Sequence, residues 1–432
     1  MNRRKKLGGL AMLLALQTFP LSAQQVLTLD DLFRMADEQS QQLRISQTAI
    51  LSAEESIKSA KSQRLPELSA ELSIGYLGDG ALGDRDFTNW MHVDNPHFTN
   101  NFALKAQQVV WSGGAITSGI RMAKLGKEMA ELDLRHNREE VRFIIAGQYL
   151  DLCRLKNQHA VVVENIALTD TLINNTLARI ETGTALQNDV TRYELQRENL
   201  LLQSQKLTDA MTIICHQLST TLHTEISAQQ VSMPSAPNIW STTDWQQMAK
   251  NENIGIQQAS AAIRMSEQEL KQKRSALLPN VAIVAENHFD GPITIEVPVI
   301  DKNFNYWFAG IGIQYSLSSL WKHNKAVSKA RLDLQQAQEQ HALAQEEVNK
   351  AVQAAYTNFL TAQTELNTQQ KSVELATEHY RITSSRYSNG LCLLSDMLDA
   401  SNTKLSAELA LVNAQINILY NYFQLKYITS SL

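Results

Sequence analysis

The chain has 432 residues, of which 44% are hydrophobic, 19% are charged and only 6% are aromatic. Its formal charge of -5 and its pI near 6.1, with no lysine or arginine cluster beyond the N-terminus, argue against nucleic acid as a partner. The length allows a large folded body, and the scarcity of glycine and aromatic residues suits long helices.

The N-terminus has the pattern of a signal peptide, predicted at 1–23. The basic run RRKK precedes an apolar run, and a short segment ending at Ala23 supplies the small residues for cleavage before Gln24. A membrane anchor is the weaker alternative, because the apolar run is shorter than the ~20 residues that a spanning helix needs. No later stretch is long and apolar enough, so we expect an exported chain that is either soluble or inserted as a β-barrel.

The remaining chain contains an internal repeat. Residues 35–66 align without a gap with 248–279 at an offset of 213, and residues 123–189 align with 330–396 at an offset of 207. The smaller second offset predicts a shorter loop in the second copy.

This similarity divides the chain into two repeats. We predict a first repeat at 24–230, an inter-repeat linker at 231–243 and a second repeat at 244–432. Each repeat is expected to contain a helix, a strand–loop–strand unit and a long helical hairpin, with the hairpin tips near 183–189 and 390–399.

Two strands are predicted in each repeat. The segment ELSAELSIGYLG, which follows Pro66, alternates apolar and polar residues, and NFALKAQQVVW completes a strand–loop–strand unit at about 67–111. In the second copy, NVAIVAENHF and YWFAGIGIQYSL form the same pattern at about 280–317. Each strand has about the 9–11 residues that a tilted transmembrane strand needs. Four strands cannot close a membrane barrel, because the smallest bacterial barrels have about eight, so several chains would have to contribute.

Long helices are predicted between these strands and the ends of the repeats. Residues 97–233 and 299–432 contain no proline, which predicts helices over about 115–182 and 322–389, each ~100 Å long at 1.5 Å per residue. Alanines recur every seven positions from Ala330 to Ala351, which is the narrow apolar stripe of closely packed helices. An ordinary soluble coiled coil is the alternative interpretation of these helices.

The turns that end these helices carry the candidate functional residues. Gly183 and Gly390 are predicted to be the turns, and the helices that follow begin near Asp189 and Asp396. Asp399 shares a helical face with Asp396. Isolated aspartates at helix starts are most often caps. Apolar residues at exposed tips are unusual unless a partner covers them, so we predict a docking surface that comprises Gly183, Thr184, Ala185, Leu186, Gly390, Leu391 and Leu393.

The sequence gives no sign of catalysis. No nucleophile, base or metal cluster converges in the sequence, so we predict no enzyme activity, no cofactor and no metal site. Cys153, Cys215 and Cys392 are widely spaced, without a disulfide or metal-type pattern, and are predicted to be small apolar fillers.

The whole mature chain, about 24–432, resembles the TolC family of outer-membrane efflux channels. The run Tyr-x-x-Gly-x-x-x-x-x-Asp-x-x-Asp-Ala is matched from Tyr387 to Ala400. The segment from Trp111 to Gly114 resembles the family's aromatic-x-Gly-Gly junction between strand and helix, whereas the second copy departs from it with Ser318-Ser319-Leu320-Trp321.

The resemblance implies a mainly α fold with β structure, in which long antiparallel coiled-coil helices form a periplasmic α-barrel. It also implies a homotrimer in which four transmembrane β-strands per chain form one 12-stranded barrel, while the linker is part of a belt around the tunnel. The implied function is the outer-membrane exit duct of a tripartite efflux or type I secretion system. The implied partners are outer-membrane lipid, a periplasmic adaptor (membrane fusion protein) and an inner-membrane transporter.

The resemblance also assigns roles at the tips. Asp396 and Asp399 would form the periplasmic aperture, and Asp189 and Tyr387 would form an inter-coil tie. Cys392 stands where a well-known family member has an arginine, so one closing contact would be missing. The alternative is a periplasmic coiled-coil adaptor or a structural protein of an export complex, which would be expected to have one helical hairpin rather than two. The sequence does not identify the cargo.

Overall fold

The computed structural model describes residues 26–234 and 245–432. The predicted signal peptide at 1–23 and residues 235–243 of the predicted linker lie outside the described residues.

The described chain is mainly helical with antiparallel sheet, as predicted. The α-helices, numbered in chain order, are α1 Leu29–Gln39, α2 Gln41–Ser62, α3 Ala115–Glu181, α4 Gln187–Leu222, α5 Trp245–Glu252, α6 Ile254–Ser275, α7 Ser319–Lys322, α8 Asn324–Ser388 and α9 Leu394–Ile428. The strands are β1 Glu67–Tyr76, β2 Gly80–Leu82, β3 Met91–Val93, β4 Phe98–Trp111, β5 Asn280–Gly291 and β6 Phe304–Gln314. Within the two described stretches, no helix is both long and apolar enough to cross a membrane.

Two pairs of equivalent helices in the two halves of the chain begin 213 or 207 residues apart, the same two offsets that were found in the sequence. Helices α2 and α6 each have 22 residues and begin 213 residues apart. Helices α4 and α9 begin 207 residues apart, at Gln187 and Leu394, and have 36 and 35 residues. The long helices α3 and α8 have 67 and 65 residues, so each is ~100 Å long at 1.5 Å per residue.

Four strands form one antiparallel sheet in the order β1-β4-β5-β6. Its central pair, β4 and β5, joins the two halves of the chain, with Asn100 opposite Gly291 and Trp111 opposite Val281. The short strands β2 and β3 form a separate antiparallel hairpin within the connection between β1 and β4. The long helix α3 starts where β4 ends, so the sheet lies at one end of α3 and the first hairpin turn at the other.

The passage from β4 to α3 requires two glycines. Gly113 and Gly114 have φ values of +61° and +90°, a region that residues with a Cβ rarely adopt. A Cβ at Gly113 would also lie 2.9 Å from the Ser275 carbonyl oxygen and from Leu278 Cβ. The second copy reaches its long helix differently, through the short helix α7, with Ser318 at φ -66°. This explains how the second copy can lack the Gly-Gly pair.

The largest core lies part-way along the long helices. Buried residues of α1, α3, α4, α8 and α9 form one cluster, in which Tyr149 is 1% exposed. The Tyr149 hydroxyl lies 3.1 Å from the Leu27 carbonyl oxygen and 2.8 Å from that of Ser232. Leu27 also forms a parallel bridge with Val231. These contacts hold Leu27 and the segment from Val231 to Ser232 against α3.

Candidate functional site: the hairpin tips and the exposed sheet

The two hairpins turn through the same backbone motif. Gly183 and Gly390 have φ values of +73° and +70°. The N–H of the residue after each glycine donates back to an arginine carbonyl, from Thr184 to Arg179 and from Leu391 to Arg386, at 2.8 Å in both cases. This pattern ends a helix with a left-handed glycine and satisfies its last carbonyls. We call residues 179–189 the first tip and residues 386–396 the second tip.

An aspartate caps the helix that leaves each tip. The Asp189 carboxylate accepts the backbone N–H of Leu186 at 3.1 Å, and Asp396 accepts that of Leu393 at the same distance. Each carboxylate satisfies a backbone donor and lies near the positive end of the helix dipole. Asp399, one turn further along α9, is exposed, as is Asp396. Two roles were considered for Asp396, capping a helix or lining an aperture, and the capping bond is observed.

One arginine joins the two tips within the chain. Arg179 Nη1 donates to the Tyr387 carbonyl oxygen at 3.1 Å, and the guanidinium carbon lies 4.9 Å from the centre of the Tyr387 ring. Arg179 Nη2 also donates to the Thr184 carbonyl oxygen at 3.4 Å. Arg179 is not among the residues predicted from the sequence. The sequence feature that could have identified Arg179 is a basic residue in the last turn of the long helix in both copies, where such a side chain can bind terminal carbonyls.

Asp189 and Tyr387, the predicted tie, lie at the same end of the molecule. Both are close to Tyr193, whose side chain is fully buried. Burial raises the pKa of the Tyr193 hydroxyl above its usual range, and the neighbouring Tyr387 and Asp189 raise this pKa further. In the described chain, the hydrogen bond of the Asp189 carboxylate goes to Leu186. Tyr193 belongs to a small core with Leu172, Leu394 and Met397, which packs the two hairpins together just behind the tips.

The tips expose large apolar side chains. Leu186 and Leu393 are each 71% exposed, and Leu391 is 67% exposed. Of the other predicted docking residues, Gly183, Thr184 and Gly390 are exposed and Ala185 is half-buried. Cys392 is half-buried and its Sγ lies 3.6 Å from the Thr383 carbonyl oxygen. The structure therefore places seven predicted docking residues on two adjacent turns.

The four-stranded sheet has two faces of opposite character. One face is apolar and remains exposed in the single chain, with Leu72 67%, Trp307 77% and Ile311 73% exposed. The other face carries Ser73, Lys105 and their neighbours, and Lys105 Nζ lies 3.0 Å from a Glu71 carboxylate oxygen. An exposed apolar surface of this kind marks contact with a membrane or another protein.

Both edges of this sheet are open among the described residues. Strand β1 pairs only with β4, and β6 pairs only with β5. All ten residues of β1 are exposed. Open edges present backbone donors and acceptors that another strand can pair with.

Known proteins that resemble this chain are outer-membrane efflux proteins. Residues 245–430 match the family model described as outer membrane efflux protein. Two curated relatives are both outer membrane protein TolC. The protein from Salmonella enteritidis is 23% identical over 189 residues, or 43% of this chain and 38% of its own length. The protein from Escherichia coli K12 is 23% identical over 269 residues, or 60% of this chain and 51% of its own length.

Solved structures share the fold over almost the whole chain. The outer membrane protein VceC from Vibrio cholerae has a TM-score of 0.75 at 17% identity, covering 93% of this chain and 96% of its own. The outer-membrane channel OprN has a TM-score of 0.78 at 15% identity, covering 94% and 90%. The open-state MtrE channel from Neisseria gonorrhoeae has a TM-score of 0.73 at 16% identity, covering 93% and 88%.

The predicted resemblance of the chain to TolC-family outer-membrane efflux channels is therefore confirmed. The matched family consists of channel proteins rather than enzymes. The curated matches cover about half of the relatives' lengths or less.

Proposed function

We propose that this chain is the outer-membrane exit duct of a tripartite efflux or type I secretion system. In this role it passively conducts substrates that an inner-membrane transporter and a periplasmic adaptor deliver. The observation that carries the proposal is the sheet at one end of two long helical hairpins, with one exposed apolar face, one charged face and two open edges. Lipid covers the apolar face in this arrangement, and the charged face lines a water-filled lumen.

The open edges indicate that the duct contains more than one copy of the chain. Strand β6 of one chain pairs with β1 of the next until the sheet closes, because an open edge cannot face lipid. Strands of 10, 14, 12 and 11 residues are long enough to cross the hydrocarbon layer at a tilt, which needs about 9–11 residues. Four strands per chain reach the minimum of about eight only with more than one copy. The family resemblance supports three copies, twelve strands and two structural repeats per chain.

The tips then form the periplasmic end of the duct. In a homotrimer, Asp396 and Asp399 occur three times around the axis, where carboxylate rings favour cations. The exposed leucines Leu186, Leu391 and Leu393 supply an apolar surface that an adaptor covers. Asp189 and Tyr387 contribute to the tie between neighbouring coils.

A matched pair of adjacent residues tests the membrane assignment. Leu72 and Ser73 are consecutive in β1 and lie on opposite faces of the sheet. Lysine on the lipid face near the bilayer centre costs about 2–4 kcal/mol per chain, whereas lysine in the lumen is tolerated. We expect Leu72→Lys to reduce the amount of trimer on unboiled gels of outer-membrane fractions, with Ser73→Lys close to wild type.

Ile311→Lys on β6 provides an independent test of the same face, since Ile311 is 73% exposed on the opposite edge strand. We expect it to behave like Leu72→Lys. Normal trimer and normal transport in both lipid-face variants would contradict the proposed membrane face. A wild-type protein found only as a monomer in the soluble periplasmic fraction would contradict the duct itself.

A further inference from the structure

The small hairpin formed by β2 and β3 carries a cluster of side chains that the duct does not use. It lies beyond the Tyr76 and Phe98 ends of β1 and β4, so the sheet separates it from the long helices. In the hairpin, Ala81 pairs with His92 and Gly80 with Val93. Continuing this register places Asp79 opposite Asp94. Because side chains alternate between faces, Asp79, His92 and Asp94 share one face with the small Ala81. His97 is also close, with its Nδ1 3.9 Å from Asp79 Oδ1.

The three side chains converge on one point. His92 Nε2 lies 3.0 Å from an Asp94 carboxylate oxygen and 3.8 Å from an Asp79 carboxylate oxygen. All three potential ligand atoms lie within 4.8 Å of one another. A tetrahedral ion with bonds of ~2.0–2.2 Å holds its ligands ~3.4 Å apart, so small side-chain rotations would bring all three atoms onto one ion.

The backbone around the cluster orients one of the carboxylates. The Asn95 N–H donates to Asp79 Oδ1 at 3.2 Å, which leaves Oδ2 directed at His92. The Asn95 side chain donates to the Gly78 carbonyl oxygen at 2.9 Å and holds this turn in place. Such outer contacts position ligands before an ion arrives.

The geometry points to a divalent-cation site at Asp79, His92 and Asp94 that binds Zn²⁺ or a similar borderline metal. One imidazole and two carboxylates suit such an ion, whereas Ca²⁺ and Mg²⁺ take oxygen ligands. The two carboxylates balance the charge of the ion, and water completes its coordination because the hairpin face is open to solvent. The ion would link the two strands of a hairpin that is marginally stable on its own.

The sequence predicts no metal site, and the cluster could not be found from it for a physical reason. The ligands lie at positions 79, 92 and 94, so one is separated from the other two by the whole hairpin. Metal motifs that can be recognised in a sequence have short, regular spacings within a helix or turn, whereas this cluster depends on the register of β2 and β3.

The proposal is tested by titrating the detergent-purified full-length protein with Zn²⁺ alone after chelator treatment, using calorimetry. We expect about one ion per chain. We expect His92→Ala and Asp94→Asn each to weaken binding by about 10-fold or more. The matched controls are His216→Ala and Asp301→Asn, which remove an exposed histidine and an exposed carboxylate elsewhere and are expected to bind Zn²⁺ as wild type does.

A second measurement detects the link between the strands. Arg85 is exposed between β2 and β3 and offers a trypsin site. We expect Zn²⁺ to slow cleavage after Arg85 in the wild type but not in His92→Ala, as followed by mass spectrometry. The absence of saturable Zn²⁺ binding, or binding that persists unchanged in both ligand variants, would overturn the site. Neither result bears on whether the chain forms a duct, which the trimer and fractionation experiments decide.

Discussion

The two tips have the same backbone and different chemistry. Each turns at a left-handed glycine and starts its next helix with a capping aspartate. At the first tip, Arg179 reaches across to Tyr387, whereas its counterpart Arg386 is exposed at the second tip. The repeat therefore conserves the turn, and the side chains around it are free to differ.

Charge and polarity differ between the tips as well. Arg192 occupies, at the offset of 207, the position that Asp399 occupies in the second copy. The helix after the first tip therefore begins with Asp189 and Arg192, and the helix after the second tip begins with Asp396 and Asp399. Thr184 and Ala185 of the first tip correspond to Leu391 and Cys392 of the second. The first tip supplies the arginine that joins the two tips, and it exposes Leu186 as fully as the second tip exposes Leu393. The second tip exposes in addition Leu391 and Asp396, so we expect it to contribute more to contacts with other molecules.

The largest expected effect is on docking at the second tip. Leu393→Asp places a charge on a 71% exposed leucine and should abolish efflux while trimers stay in the membrane, because a charge cannot be buried cheaply under a partner. Leu186→Asp should have the same effect if both tips dock. The matched control is Gln187→Glu, which adds a charge one residue from Leu186 in the first helical turn, where the dipole favours it.

Efflux and trimer yield are measured together for these variants. Loss of the trimers would show that the leucines pack the assembly rather than dock a partner. An active Leu186→Asp beside an inactive Leu393→Asp would show that only the second tip docks.

The next effect concerns the arginine that joins the tips. Arg179→Ala removes hydrogen bonds from a charged group and a ring contact, so we expect amides of residues 183–189 to exchange hydrogen about 10-fold faster. Arg386→Ala, the equivalent change in the second copy, should leave exchange at 390–396 close to wild type. If Arg386→Ala accelerated exchange at 390–396 as much as Arg179→Ala accelerates it at 183–189, the two tips would not differ as described. That result would indicate that Arg386 contacts another copy of the chain.

A smaller effect is expected from the capping aspartates. Asp189→Ala and Asp396→Ala each remove the hydrogen bond that the N-cap backbone N–H donates to the third helical residue. Such a capping interaction is worth about 1 kcal/mol, or roughly fivefold in local opening. The change at Asp189 should be the larger, because Asp189 is half-buried beside Tyr193 and Asp396 is exposed. Glu194→Ala, an exposed carboxylate beyond the first turn of α4, is the control. The same exchange experiment measures all three, and equal effects at both caps would show that burial does not distinguish them.

The smallest effect is on ion selectivity. Asp399→Asn should lower the cation preference of purified trimers in planar bilayers by about twofold, because a carboxylate ring at a constriction attracts cations. Arg192→Gln, at the corresponding position of the first copy, should leave this preference unchanged. Asp396→Ala with Asp399→Ala should in addition weaken block by multivalent cations. Unchanged selectivity in all variants would show that these carboxylates do not line the aperture.

Much of this architecture could be predicted because it is encoded locally. The absence of proline and the positions of Gly183 and Gly390 predict helices ending at about 182 and 389, and α3 and α8 end at Glu181 and Ser388. The two-residue period of β1 likewise predicts its apolar and polar faces, since alternate side chains of a strand point in opposite directions.

The remaining features depend on how distant segments meet. Arg179 and Arg386 occupy equivalent positions in the sequence, and only the packing of the two hairpins directs Arg179 onto Tyr387. The short helix α7 replaces a Gly-Gly junction in a way that no local pattern specifies. The convergence of Asp79, His92 and Asp94 depends in the same way on strand register.

The pairing of β4 with β5 also sets an order of assembly. The two strands belong to different halves of the chain, and the Thr99 hydroxyl bonds the Gly291 carbonyl oxygen, 192 residues away. Contacts this distant along a chain form slowly, whereas the two antiparallel helices of each hairpin are close in sequence. The first hairpin, formed by α3 and α4, can therefore fold before β5 has been synthesised, whereas the sheet cannot. Strands β1 and β4 thus expose their apolar face without a complete sheet to join until the chain has been made as far as Gln314, the end of β6.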